Sequence, residues 1–234
     1  MSRLLLIWTL LTTFGMRIQE RSADMAVHCF ADIPGITACL DTPFKGYWEA
    51  NGGLPVFGYP LTGTNLEQNQ DLHRPLLTQW TERNRLEIHP ENTGPYSILL
   101  GRMGDERLQQ LGPNAAAEGQ ESGPQPGCLW FDITKHNVCD QGAGMGFLSY
   151  WQAHGLHVSG LDAYNRSLQL FGLPLTTPRP ELNEAGETVM TQWFERARFE
   201  WHPDKPDEFK VLLGLLGTEL RHTAAPSTTS IIGV

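Results

Sequence analysis

Two repeated residue pairs carry the plainest potential for chemistry, Glu87-x-His89 and Glu200-x-His202. Side chains two apart share one face of a strand, where a carboxylate and an imidazole could bind a metal or pass a proton. The competing reading pairs them with Arg85 and Arg198 as a cross-strand polar ladder. Their occurrence twice favours the ladder, because a duplicated scaffold must keep its supports in both copies and a reaction needs one site. Ser97, Ser149, Ser159 and Ser167 sit in no Gly-x-Ser-x-Gly frame. Gly142-Ala-Gly-Met-Gly146 lacks the preceding strand and the Lys-Thr/Ser of a phosphate-cradling loop. The spacing of the 26 Asp and Glu singles out no opposed carboxylate pair of the glycosidase kind. No catalytic residue, metal site or cofactor is assigned.

The elements that position these groups occur as two copies of one unit. Thr78-Gln-Trp-Thr-Glu-Arg-Asn-Arg-Leu-Glu-Ile-His-Pro-Glu91 returns as Thr191-Gln-Trp-Phe-Glu-Arg-Ala-Arg-Phe-Glu-Trp-His-Pro-Asp204, identical at nine of fourteen positions. Phe44-x-x-x-Trp48, Phe57-Gly-Tyr-Pro-Leu61 and Leu99-Leu-Gly-x-x-Gly104 recur in the same order as Phe147-x-x-x-Trp151, Phe171-Gly-Leu-Pro-Leu175 and Leu212-Leu-Gly-x-x-Gly217. The four cysteines permit three pairings. The repeat selects Cys29–Cys39 and Cys128–Cys139, which requires an oxidising compartment. The spacing lacks the Cys-x-x-Cys pairs of a zinc site.

The chain begins Met1-Ser2-Arg3, continues uncharged from Leu4 to Met16 and turns polar. That is the order of a secretory signal peptide over residues 1–26, too short an apolar run to span a bilayer, with Ala23 and Ala26 as candidate cleavage positions. The expected layout is unit one over 27–112, a Gly/Pro-rich linker over 113–126, unit two over 127–221 and a disordered tail over 222–234. A net charge of −9 with no basic stripe argues against nucleic-acid and anionic-membrane partners.

Within a unit, Phe44 and Trp48 share one face of a short helix that Gly52-Gly53 ends; Phe147, Trp151 and Gly155 repeat this. A Gly-x-Pro turn and a polar connection lead to the Thr-Gln-Trp block. Read as one strand, that block strands Glu195 among apolar neighbours. Read as a hairpin turning at Glu195-Arg196-Ala197, it resolves the conflict and places Asn84 at the left-handed position. His-Pro ends the second strand, and a helix closes the unit. The fold class is α+β in two tandem units, each a short helix, Gly-Pro turn, β-hairpin and closing helix, each with one disulfide.

At Phe57-Gly-Tyr-Pro60 and Phe171-Gly-Leu-Pro174 the chain resembles the LGFP repeats of exported bacterial cell-envelope proteins. Phe194-Glu-Arg-Ala-Arg-Phe-Glu-Trp201 is similar to the Phe-x-x-Gly-x-Ile-x-Trp hairpin of those repeats, with Ala197 in the glycine place. The resemblance implies a non-catalytic module pair that recognises envelope glycan or a partner protein, or acts as a spacer. An envelope hydrolase with its site between the units is the alternative. Recurrent Trp48, Trp80, Trp151 and Trp193 read as core. Candidate ligand contacts are the features without a repeat counterpart: Tyr164, Asn165 and Arg166 in the extra segment of unit two, then Trp130 and Trp201.

Overall fold

The computed structural model describes residues 27–116, 119–183 and 185–224; the signal-peptide expectation lies outside them. The architecture is α+β, and the same order of elements occurs twice. Unit one runs through helices Phe44–Ala50 and Gly53–Phe57, strands Asn65–Asn69, Arg74–Trp80, Arg85–Ile88 and Ile98–Leu100, and closing helix Met103–Leu111. Unit two runs through helices Phe147–Ala153 and Ala163–Phe171, strands Arg179–Leu182, Thr188–Trp193, Arg198–Trp201 and Val211–Leu213, and closing helix Leu216–Ala224. Each set of four strands forms an antiparallel meander in chain order. The expected hairpin is the centre of each meander. The polar connection before it is an edge strand, whose outward Leu66 and Leu182 are more than 70 % exposed.

The Thr-Gln-Trp motif repeats because each of its residues has a separate task. Gln79 and Gln192 turn into the core, fully buried. The Gln79 side chain donates to the carbonyls of Cys39 at 2.7 Å and Thr62 at 2.8 Å, and Gln192 donates to those of Asn137 and Thr176. Each glutamine thus pins its unit's disulfide hairpin and the segment after the Gly-x-Pro turn. Trp80 and Trp193 lie on the opposite face, their ring N–H groups donating to Glu67 and Glu181. Gly58 and Gly172 take φ of +75° and +77°, and a Cβ at either would strike the Glu82 or Glu195 side chain at 2.6 Å.

The hairpin turns differ from expectation at Asn84. Among the described non-glycine residues, left-handed geometry falls at His73 and Lys135, not there. Asn84 instead closes a four-residue loop: the Thr81 N–H donates to its carbonyl at 2.8 Å, and its own N–H donates to Thr81 Oγ1. Phe194 and Ala197 close the matching loop through one backbone bond. This leaves Glu82-Arg83 and Glu195-Arg196 at the tips.

The tips lock the two units together reciprocally. Gly104 and Asp105 at the start of one closing helix donate their N–H groups to the Glu195 carbonyl, and Gly217 and Thr218 donate theirs to the Glu82 carbonyl. Each tip thereby occupies orphan donors at the other unit's helix N-terminus. Arg83 Nε donates to the Leu213 carbonyl and Arg196 Nε to that of Leu100. Trp80, Met103 and Leu108 pack with Trp193, Leu216 and Leu220 beneath this contact. The principal core also draws on both units, with Phe44, Phe57, Phe147, Phe171, Phe194 and Phe199 all under 2 % exposed. Burial of each such ring contributes roughly 1.5–3 kcal/mol.

Both disulfides form as the repeat requires, Cys29–Cys39 and Cys128–Cys139. Each closes a loop short enough to contribute about 3 kcal/mol on a chain-entropy estimate. A Cys128→Ser/Cys139→Ser double variant is expected to lose about that much in urea denaturation, and a loss under ~0.5 kcal/mol would contradict it. In the stretch read as a linker, Pro113–Ala116 forms a short helix and Glu121 bonds the Asn137 N–H at 2.6 Å. The second closing helix continues to Ala224, into the stretch read as tail; residues 225–234 lie outside those described.

Candidate functional site

The Glu-x-His pairs are built into the sheets. Glu87 and Glu200 are 4 % and 6 % exposed. Arg85 Nε meets Glu87 Oε1 at 2.5 Å, and its two terminal nitrogens clamp Glu106 of the closing helix. Asn69 takes the other Glu87 oxygen at 2.9 Å, while His89 lies 3.4 Å from it. In unit two, Arg198 bridges Glu200 and Glu219, each at 2.7 Å, with His202 3.5 Å from Glu200. Both guanidinium groups stack 5.0 Å over a tryptophan, Trp80 or Trp193. The polar ladder therefore exists, and it runs from strand to closing helix within each unit. Its carboxylates are occupied by their supports. Among the described residues no group of three or more His, Cys, Asp or Glu is arranged to hold a metal ion.

The remaining candidates fall in three places. Tyr164 opens the second helix of unit two and packs on Phe131 and Trp151, with centroids 6.1 and 5.3 Å away, yet stays 42 % exposed. Asn165 and Arg166 serve that helix: Asp162 caps it by accepting the Asn165 N–H, and Arg166 Nε donates to the Leu156 carbonyl at 2.6 Å. Trp130 precedes Phe131 in its strand and so faces the other side, with Lys135 6.0 Å over its ring. Trp201 is half-buried in a groove of about 530 Å³, together with His202 and Lys205, all from unit two. The structure does not gather these residues into one site. Ser149 and Ser167 hold helix ends, Ser149 Oγ accepting the Gly146 N–H and Ser167 Oγ donating to the His154 carbonyl.

A cleft of about 370 Å³ between the units has converging groups from both. Unit one contributes Tyr59 and the hairpin tip Glu82-Arg83; unit two contributes Tyr150, His154, Glu208 and Phe209. Its volume lies in the range of small-ligand pockets. The Tyr150 and His154 rings stack at 3.9 Å. His154 Nδ1 lies 2.8 Å from the Tyr150 carbonyl. A carbonyl can only accept, so Nδ1 carries a proton, and Nε2 of the neutral ring is an acceptor. Burial pushes the Tyr150 phenol up to about 12 against the lowering pull of Arg83, so at neutral pH it is a donor. Phe209 at the rim is half exposed.

The repeat-related place in the other half is closed. Tyr47 matches Tyr150, but its hydroxyl is buried without a hydrogen bond. Asn51, in the His154 place, is 6 % exposed and accepts the His157 N–H at 2.7 Å. That N–H comes from the extra segment of unit two. The segment singled out for recognition thus also covers one of two equivalent positions, and the other remains open.

Tyr150, His154, Arg83 and Phe209 were not picked out from the sequence. Tyrosine recurs at Tyr47 and Tyr150 and arginine at both tips, so the search for features without a repeat counterpart passed over them. The usable signal was the change from Asn51 to His154 just after helices that share their Phe, Tyr, Trp and Ala positions. Compared with known proteins, the chain matches no family model, no curated protein and no solved structure.

Proposed function

We propose that this chain is an extracytoplasmic recognition module, a non-catalytic pair of units that binds envelope glycan in the cleft between them. The observation that carries the reading is the asymmetry of the cleft: similar units place a tyrosine and a tip arginine twice, one tyrosine hydroxyl is buried, and the other tyrosine lines an open cleft with further aromatic and polar side chains. Aromatic faces beside a few fixed polar groups suit a ring-shaped polar ligand. The two disulfides fit an oxidising compartment, and no described helix is long and apolar enough to cross a membrane. The LGFP-like turn and hairpin support an envelope setting. Tyr164, still accessible on the covering segment, is a second contact surface for a partner protein.

The test is retention of the full chain on insoluble envelope glycan. Wild type is expected to be retained, and Phe209→Ala with Tyr150→Phe to lose most of that retention while Tyr164→Ala keeps it. Loss confined to Tyr164→Ala would move the site to the covering segment, and no retention at all would overturn the glycan reading. One observation favours the hydrolase alternative: His154 Nε2 is an acceptor in a cleft that Glu82 and Glu208 also line. Release of reducing ends, abolished by His154→Gln or Glu208→Gln, would select it.

A further inference from the structure

The arginine in the cleft differs from the arginines of the ladder. Arg85 and Arg198 are each held by two carboxylates at 2.7 Å or less. Arg83 donates Nε to the Leu213 carbonyl and Nη1, at 3.4 Å, to that of Leu54. Its nearest carboxylate, Glu82, stands 3.9 Å away, and Glu82 Oε2 accepts the Tyr59 N–H at 3.0 Å. Arg83 Nη2 has no hydrogen-bond partner among the described residues, and neither does the Tyr150 hydroxyl. A largely buried guanidinium with a free face, beside a free phenol donor, is a receptor for one anionic group. The fork of a guanidinium fits a carboxylate through two parallel bonds.

The surroundings limit what carries that anion. Glu82 and Glu208 also line the cleft, and the chain is at −9 overall. A polyanion would meet repulsion from both, whereas a single carboxylate needs only Arg83. The same carboxylates, with His154 Nε2, are acceptors suited to hydroxyl groups. Tyr59 and the half-exposed Phe209 line the same cleft and supply aromatic surface for the body of the ligand. We propose that the cleft selects an acidic sugar, a pyranose ring bearing one carboxylate, with the carboxylate on Arg83 and Tyr150 and the ring against Phe209. This rests on the glycan reading above and adds the charge of the ligand to it.

The test is calorimetric titration of the full chain with a hexuronate disaccharide and with its methyl ester, which keeps the ring and removes the charge. The acid is expected to bind at least about tenfold more tightly than the ester, a typical margin for one charge-assisted pair. Arg83→Gln is expected to erase the difference by weakening the acid alone, and Arg83→Lys to restore part of it, since a lysine supplies charge without the fork. The acid–ester comparison on wild type needs no variant and stands even if Arg83→Gln fails to fold. Equal binding of acid and ester, both lost in Phe209→Ala, overturns the acidic-sugar proposal and leaves the glycan reading intact. Binding of neither probe, together with a failed glycan retention assay, overturns both.

Discussion

Gly104→Ala and Gly217→Ala are each expected to lower stability by about 3 kcal/mol or more, a fall of roughly 6–12 °C in Tm for a chain of this size. A Cβ on Gly104 would stand 1.9 Å from the Phe194 carbonyl oxygen, and one on Gly217 would stand 2.0 Å from that of Thr81. Neither obstacle is a side chain that can swing aside; each is backbone inside a closed turn. Relief requires the closing helix to withdraw from the opposite tip, which breaks its two N-terminal hydrogen bonds to Glu195 or Glu82. Because the two contacts support one interlock, the double variant should lose less than the sum of the singles. Gly46→Ala is the control. It lies in a helix with nothing within 4 Å of the added carbon, and should be neutral or stabilising by up to about 1 kcal/mol. Thermal melts in which Gly104→Ala stays within 2 °C of wild type would remove the interlock from the account.

Glu219→Ala is expected to cost about 3–5 kcal/mol in urea denaturation, the usual penalty for stranding a buried charge. Its carboxylate is 8 % exposed and meets Arg198 at 2.7 Å and Arg107 at 3.0 Å. It therefore ties the sheet of unit two to the closing helix of unit one. Its loss leaves Arg198 buried with Glu200 alone. The repeat counterpart, Glu106, is itself 29 % exposed and, among the described residues, holds Arg85 alone, where Glu219 holds two arginines, so Glu106→Ala should cost about half as much or less. Equal losses at the two positions would mean that the ladder stabilises by packing and not by charge.

The duplication made much of this fold readable in advance. Phe-x-x-x-Trp spacing located the first helices, the cysteine spacing located both disulfides, and the position of Glu195 forced a turn where a single strand would have buried it. The edge strands were missed because their pattern is weak. Asn65–Asn69 and Arg179–Leu182 are polar and half exposed, and only pairing with the neighbouring strand makes them regular. The interlock was hidden for a different reason. The glycines Gly104 and Gly217 were visible as repeats, but a glycine required by a carbonyl far away in the chain, Phe194 for one and Thr81 for the other, leaves no local signature. Asn84 was misjudged because its side-chain type suits left-handed geometry, while the Thr81 hydroxyl offered the turn another closure. The cleft was obscured because its tyrosine and arginine recur in both copies; the change from Asn51 to His154, and the bond that ties Asn51 to the extra segment, distinguish them.

Amide chemical-shift mapping of the full chain during titration with envelope oligosaccharide tests the central claim most directly, since both halves report on the same sample. The account predicts perturbations around Arg83, Tyr150, His154 and Phe209, with Tyr47, Asn51 and Arg196 unmoved. Equal perturbation of both sets, or changes confined to Tyr164 or Trp201, would contradict it.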